Sequence, residues 1–199
     1  MKVYEIGFPK VADTIKNIVL SEQEGTIVEV AAEHWLATGQ IDGTYSEEVR
    51  QELGIPIFQS TYMGGTCVVF PGDISFCELR LKQSDFGKQA IVAVKNYLKS
   101  LGFCVVLNGN DLMLYSKEAD GLFKVASYGS GRFLEKYLQT VVHISIGMDE
   151  ELVGRICVKD QKKKPMGLGR YGITAESIYK VIKPVMEACW DEPVEYVTT

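Results

Sequence analysis

The chain has 199 residues, of which 46 % are hydrophobic and 24 % charged, and a formal net charge of -5. That length can bury a core without disulfide staples, the composition excludes disorder for most of the chain, and the acidic balance argues against a protein that grips nucleic-acid phosphates. No stretch approaches the ~18 consecutive apolar residues of a membrane-spanning helix, and residues 1–10 lack the basic start and apolar core of a signal peptide. Five cysteines without a CxxC pair, and two histidines, His34 and His143, read as free thiols in a cytoplasmic chain and leave little material for a structural zinc site.

Apolar spacing predicts a first helix over Val11 to Leu20. Thr44 followed by Glu47 forms a capping box for a second helix from Tyr45 to Gly54. Ser84 caps a third, whose apolar face reads Ala90, Ile91, Val94, Leu98 and Leu101 and which Gly102 ends. A fourth begins near Thr174 and buries Ile178, Val181, Ile182 and Val185, with Pro184 expected to bend or break it.

Between the helices lie β-rich runs: Thr26 to Ala32, Ile55 to Ser60, Thr66 to Phe70, Ile74 to Lys82, Phe103 to Leu107, Asp111 to Tyr115, Leu122 to Ser127 and Val141 to Ile146. Several follow one another across short gaps, which favours hairpins. The pattern predicts an α+β fold with a largely antiparallel sheet.

Gly167 to Gly172 satisfies G-x-G-x-x-G, but the preceding Lys162 to Pro165 is no buried strand, so the stretch reads as a loop and not as a dinucleotide fingerprint. Lys162, Lys163 and Lys164 read as a solvated loop, with an acidic partner or a phosphate as the other reading. Gly64 and Gly65, between two strand-like runs, suit either a hairpin turn or a backbone cradle that points N–H groups at an anion.

The run Gly54-Ile55-Pro56-Ile57-Phe58-Gln59-Ser60-Thr61-Tyr62-Met63-Gly64-Gly65, continued by Thr66-Cys67-Val68-Val69-Phe70-Pro71-Gly72-Asp73-Ile74, resembles the lipoate–protein ligase, octanoyltransferase and biotin–protein ligase superfamily, nearest its lipoate branch. That superfamily carries G-I-P-V-V-R-R-x-S-G-G-G and then T-V-Y-H-D-x-G-N-L. Gln59 and Ser60 stand at its paired arginines, Met63 at its first glycine and Val69 at its histidine. Downstream, Asn110-Asp111-Leu112, Gly121 to Ser127 with Lys124, and His143-Ile144-Ser145 resemble its N-D-L, G-x-K-[IV]-[AS]-G and H-G-[ST] runs, and Gly39-Gln40 its upstream glycine and glutamine. The likeness is strongest over residues 25–152.

The resemblance implies a single catalytic domain over residues 1–199 with helices largely on one face of the sheet and no accessory C-terminal domain. It implies transfer of a lipoyl, octanoyl or related acyl group to a lysine of a lipoyl-domain or H-like carrier, through an acyl-adenylate made with ATP and Mg2+, with a separate accessory protein as an option and no role for nucleic acid or membrane. Lys124 would stabilise charge growing on the acyl carbonyl and the phosphate. Gly64, Gly65, Thr66, Gly72, Asp73, Asn110, Val125, Ala126 and His143 would bind ligand, and Asp111 would hold the metal. Read from pattern alone, Lys124 is a strand lysine on the face opposite its neighbours, Asp111 a turn carboxylate, and His143 a core-edge histidine. Two other functions stand beside the first: a binding member of the same fold that does not catalyse, and ATP-free octanoyl transfer through a thioester on Cys104, whose apolar neighbours predict a buried thiol.

Overall fold

The computed structural model describes residues 2–6, 10–38, 45–59, 66–158, 163–190 and 193–198. Gly39, Gln40, Thr44, Ser60, Met63, Gly64 and Gly65 lie outside the described residues. Two sheets form the frame. The larger is built from β1 (Lys2–Ile6), β2 (Gly25–Val30), β6 (Ile74–Arg80), β7 (Val105–Asn108), β8 (Asp111–Ser116), β9 (Gly121–Phe133), β10 (Tyr137–Ile144) and β11 (Glu195–Thr198), in the order β11-β1-β2-β6-β10-β9-β8-β7. The smaller sets β3 (Trp35–Thr38) between β4 (Ile57–Gln59) and β5 (Thr66–Val69). β1 runs parallel to β2 and β11, and β3 parallel to β4; the other pairings are antiparallel, as the short connections predicted.

The helices follow their apolar stripes. α3 (Phe86–Ser100) and α5 (Ala175–Ala188) share one face of the large sheet, where Phe86, Ala90, Ile91, Val94, Leu98, Ile178, Ile182 and Met186 pack against Phe76, Leu112, Leu114, Val142 and Ile144. Each fully buried large side chain there contributes roughly 1.5–3 kcal/mol of transfer free energy. α1 (Lys10–Leu20) lies on the opposite face, with Ile15 and Ile18 against Ile27, Cys77 and Leu79. α2 (Glu47–Glu52) and α4 (Glu150–Ile156) belong to the outer core of the small sheet, formed by Leu36, Ile55, Val68, Phe70 and Ile156.

Several ends differ from the sequence reading. Ser46 caps α2 by accepting from the Val49 N–H at 3.3 Å, because its hydroxyl sits three residues before that unpaired donor. Gly54 follows at φ +62°. Ser84 accepts from the Phe86 N–H at 3.0 Å, one residue outside the Asp85 cap position. Thr174 caps α5 in a reciprocal box with Ser177. Pro184 does not break α5: the carbonyl it leaves without a donor belongs to Lys180, and both residues are on the exposed side of the helix.

The glycines at residues 167 and 169 have a packing role. A Cβ on Gly167 would stand 2.5 Å from the Ile146 carbonyl oxygen, and one on Gly169 2.7 Å from the same atom. The Leu168 and Gly169 N–H groups donate to Ser145 and Ile146 carbonyls at 2.9 Å each. The stretch is a 3-10 turn (Leu168–Tyr171) seated on the end of β10, consistent with the loop reading.

Candidate functional site

Strand register writes a polar row across the sheet face that carries α1. Glu29, Ser75, His143, Ser127 and Asp111 are successive partners across β2, β6, β10, β9 and β8. Because side chains alternate along a strand, all five belong to one face, while Phe76, Val142, Ala126 and Leu112 point to the other.

Lys124 reaches this face through an irregularity. Ala126 pairs with Leu112 and Lys124 with Met113, so Val125 is an extra residue in β9. Strict alternation would put Lys124 and Ser127 on opposite faces; the bulge returns Lys124 to the face of Asp111. Its Nζ stands 3.0 Å from Asp111 Oδ1, and its side chain is 35 % exposed, so the ammonium is held at the protein surface rather than free in water. Asp111 Oδ2 accepts from Lys163 Nζ at 2.5 Å. Burial raises the Asp111 pKa, but the bonds from Lys163 and Lys124 outweigh it and hold the carboxyl below its ordinary value.

Beside this cluster lies a cavity of about 60 Å³ between the two sheets. Ile27, Cys77 and Val141 line it from the large sheet, Trp35, Ala37, Cys67 and Val69 from the small one, and Val11 and Ile15 from α1. Its polar groups are Glu29, Ser75, Gln139 and His143. All four have partners: Glu29 Oε1 accepts from Trp35 Nε1 at 3.1 Å, Gln139 Nε2 donates to Cys77 Sγ at 3.1 Å, and His143 Nδ1 is 3.1 Å from Ser75 Oγ. The Lys124 charge reaches the lining, where it acts on both Cys67 and His143. Burial, helped by Lys124, lowers the His143 pKa to about 4, so the imidazole is neutral at physiological pH. Burial pushes Glu29 up to about 7.

The other sequence-derived candidates fall into place unevenly. Asp73 is only 1 % exposed. Its Oδ2 accepts from the Phe70 N–H at 2.9 Å, and its Oδ1 from the Ile146 and Gly147 N–H groups at 2.6 and 2.9 Å. The carboxyl is thus a strut joining the turn before β6 to the end of β10, and Gly72 is the positive-φ residue of that turn, donating to the Ala31 carbonyl at 2.8 Å. Val125 and Ala126 have buried side chains. Asn110 is an exposed residue of the β7–β8 hairpin turn, and its carbonyl accepts from the Tyr128 N–H at 3.1 Å. Thr66 opens β5 opposite Thr38.

One expectation needs correction, the burial of Cys104. Asp111, expected to hold a metal, has both carboxylate oxygens against ammonium groups in this structure. Cys104 is exposed, not buried, because it precedes β7 at the sheet edge, and it is not among the cavity-lining residues. The thiols on the cavity are Cys67 and Cys77, which burial pushes up to about 12 and about 11. Glu29, Cys67, Ser75 and Gln139 were not singled out from sequence, and Lys163 only as part of a lysine run read as a solvated loop, with an acidic partner or a phosphate as the other reading. Alternation hints at the faces of the first four, but only the strand register brings them together.

No family model matches the chain, and no curated protein matches it in sequence. Solved structures do match its fold. A bipartite lipoate–protein ligase of Thermoplasma acidophilum, described with its E2 lipoyl domain, superposes with a TM-score of 0.74 over 100 % of this chain and 86 % of its own, at 11 % identity. Lipoate-protein ligase A bound with ATP gives 0.73 over 100 % and 88 %, at 13 % identity. LipL1 of P. falciparum in complex with lipoate gives 0.72 over 98 % of this chain and 65 % of its own, at 13 % identity. A biotin protein ligase of Leishmania major is more distant, at 0.54. The fold is therefore that of the lipoate–protein ligases, with biotin ligases further away.

Proposed function

We propose that this chain transfers a lipoyl, octanoyl or related acyl group from an activated donor to a lysine of a carrier domain. The observation that carries the reading is a cationic cluster built on Lys124 beside an apolar cavity, in the fold of the lipoate–protein ligases. The apolar walls suit an alkyl chain, and burying one there removes its surface from water. The Lys124 ammonium would meet the developing oxyanion and the leaving phosphate, where a preorganised positive charge lowers the barrier. A neutral His143 cannot add charge, so it serves as a hydrogen-bonding wall of the cavity.

Structural neighbours bound to ATP and to lipoate support an acyl-adenylate donor, and the neighbour described with its lipoyl domain supports a lipoyl-type carrier. Asp111 is engaged by two lysines, so no step is assigned to a magnesium ion there. A thioester route through Cys104 would start from a thiol that does not line this cavity. Incubation of the protein with octanoate or lipoate, ATP as its magnesium salt and a lipoyl domain should yield a carrier heavier by the acyl group in mass spectrometry. Lys124→Ala should slow this about 100-fold or more. An undiminished rate in Lys124→Ala would remove the role of that lysine, and tight acyl binding with no transfer would establish the non-catalytic alternative.

A further inference from the structure

Lys163 comes from the stretch that reads in sequence as a solvated loop, yet its position is set by backbone pairing. The Lys124 N–H donates to the Lys164 carbonyl at 2.8 Å, and the Met166 N–H donates to the Lys124 carbonyl at 2.9 Å. These bonds lay the segment alongside β9, with Pro165 bridged in parallel to Lys124. Lys163, two residues before the bridge, extends to the hairpin, where its Nζ donates to Asp111 Oδ2 at 2.5 Å and to the Asn108 carbonyl at 3.2 Å. Two ammonium groups therefore share one carboxylate, and the cluster keeps a net positive charge.

We propose that Lys163 and Lys124 form a two-cation site for the phosphate of the activated acyl donor, with Asp111 as the internal counter-ion that stores both ammonium groups. A phosphate presents adjacent anionic oxygens as a carboxylate does, so donors converging on one can turn to the other. The excess charge and the partial exposure of both lysines leave the cluster attractive to an anion. This assignment rests on the acyl-transfer reading and adds to it a second cation, delivered by a different segment of the chain.

Calorimetry with two probes tests it. One is the ketophosphonate analogue of octanoyl-adenylate, which is anionic and resists hydrolysis; the other is octanamide, which carries the chain without charge. Lys163→Met and Lys163→Gln should each weaken the phosphonate at least tenfold and octanamide less than twofold, and Lys163→Arg should stay within threefold of the native chain for both. Equal phosphonate affinity in native and Lys163→Met protein overturns the assignment while leaving the acyl reading intact. Equal loss of both probes in the neutral variants shows a structural role and overturns it too. A native chain that binds neither probe overturns both readings together.

Discussion

His143 Nε2 lies 3.5 Å from Asp73 Oδ2, while its Nδ1 is 3.1 Å from Ser75 Oγ. The histidine is thereby clamped between the turn that precedes β6 and the strand itself. Burial drives the two partners in opposite directions, raising Asp73 to about 7 and lowering His143 to about 4. The contact is therefore a positioning contact and not a pair of full charges at neutral pH. It fixes one wall of the cavity.

Asp73→Asn tests that strut. The carboxyl accepts three backbone N–H bonds, and an amide must turn its NH2 towards at least one of those donors. Leaving a buried donor unpaired costs about 1–3 kcal/mol. Urea unfolding should show a loss of that size. A change of a few tenths of a kcal/mol would mean that the turn and β10 are held together by other contacts.

Stability should fall as pH rises from about 5 to 8. Asp73, Glu29 and Glu78 are each raised to about 7 by burial. A raised carboxyl contributes stability that is present below its unfolded pKa near 4 and lost as pH climbs through 7. His143, lowered to about 4, acts oppositely: its contribution is present above 6.5 and lost as pH falls through 4. Three protons against one leaves the folded chain holding more protons across this window. Glu29→Gln removes one of the three and should raise stability at pH 8 relative to pH 5.5 by about 2 kcal/mol. Denaturation curves at the two pH values, native against variant, would contradict this if their difference were the same at both.

Ala37→Leu should block the acyl site without unfolding the chain. Ala37 lies on the cavity wall, so the three carbons that leucine adds would project into the space proposed for the alkyl chain. Octanamide binding should fall at least tenfold by calorimetry, while the melting temperature stays level or rises as the void fills. Retained affinity would place the alkyl chain elsewhere.

Two glycine substitutions should have opposite signs. In Gly167→Ala the new methyl meets the Ile146 carbonyl at 2.5 Å and the Gly147 carbonyl at 2.9 Å, and backbone cannot swing aside as a side chain can. A loss of about 1–3 kcal/mol is expected. Gly154, inside α4, has open space around its Cβ position. Gly154→Ala should gain roughly 0.5–1 kcal/mol through helix propensity and a less mobile unfolded chain. Melting curves of the two variants shifted in the same direction would contradict this account.

Much of the fold was legible before any coordinates. The stripes of α1, α3 and α5, the Thr174 cap and the hairpin strands are local features, and local spacing reports them. β1 and β11 were not assigned because their meaning depends on pairing Lys2 with Glu195 and Lys2 with Gly25, which no short window contains. α4 was missed because seven residues beginning with two glutamates and interrupted by Gly154 carry a weak periodic signal.

The order of residues was enough, by itself, to announce an α+β chain, and its resemblance to the lipoate branch singled out Lys124, Asp111 and His143, which local pattern alone reads as a strand lysine, a turn carboxylate and a core-edge histidine. Tertiary structure alone decided what they do together. The extra Val125 turns Lys124 to the Asp111 face, register aligns Glu29, Ser75, His143, Ser127 and Asp111 across five strands, and backbone pairing brings Lys163 from 52 residues beyond Asp111 to the same carboxylate. Each is a long-range geometric event in which a one-residue change of register sends a side chain to the other side of the sheet, so sequence spacing cannot encode the outcome locally.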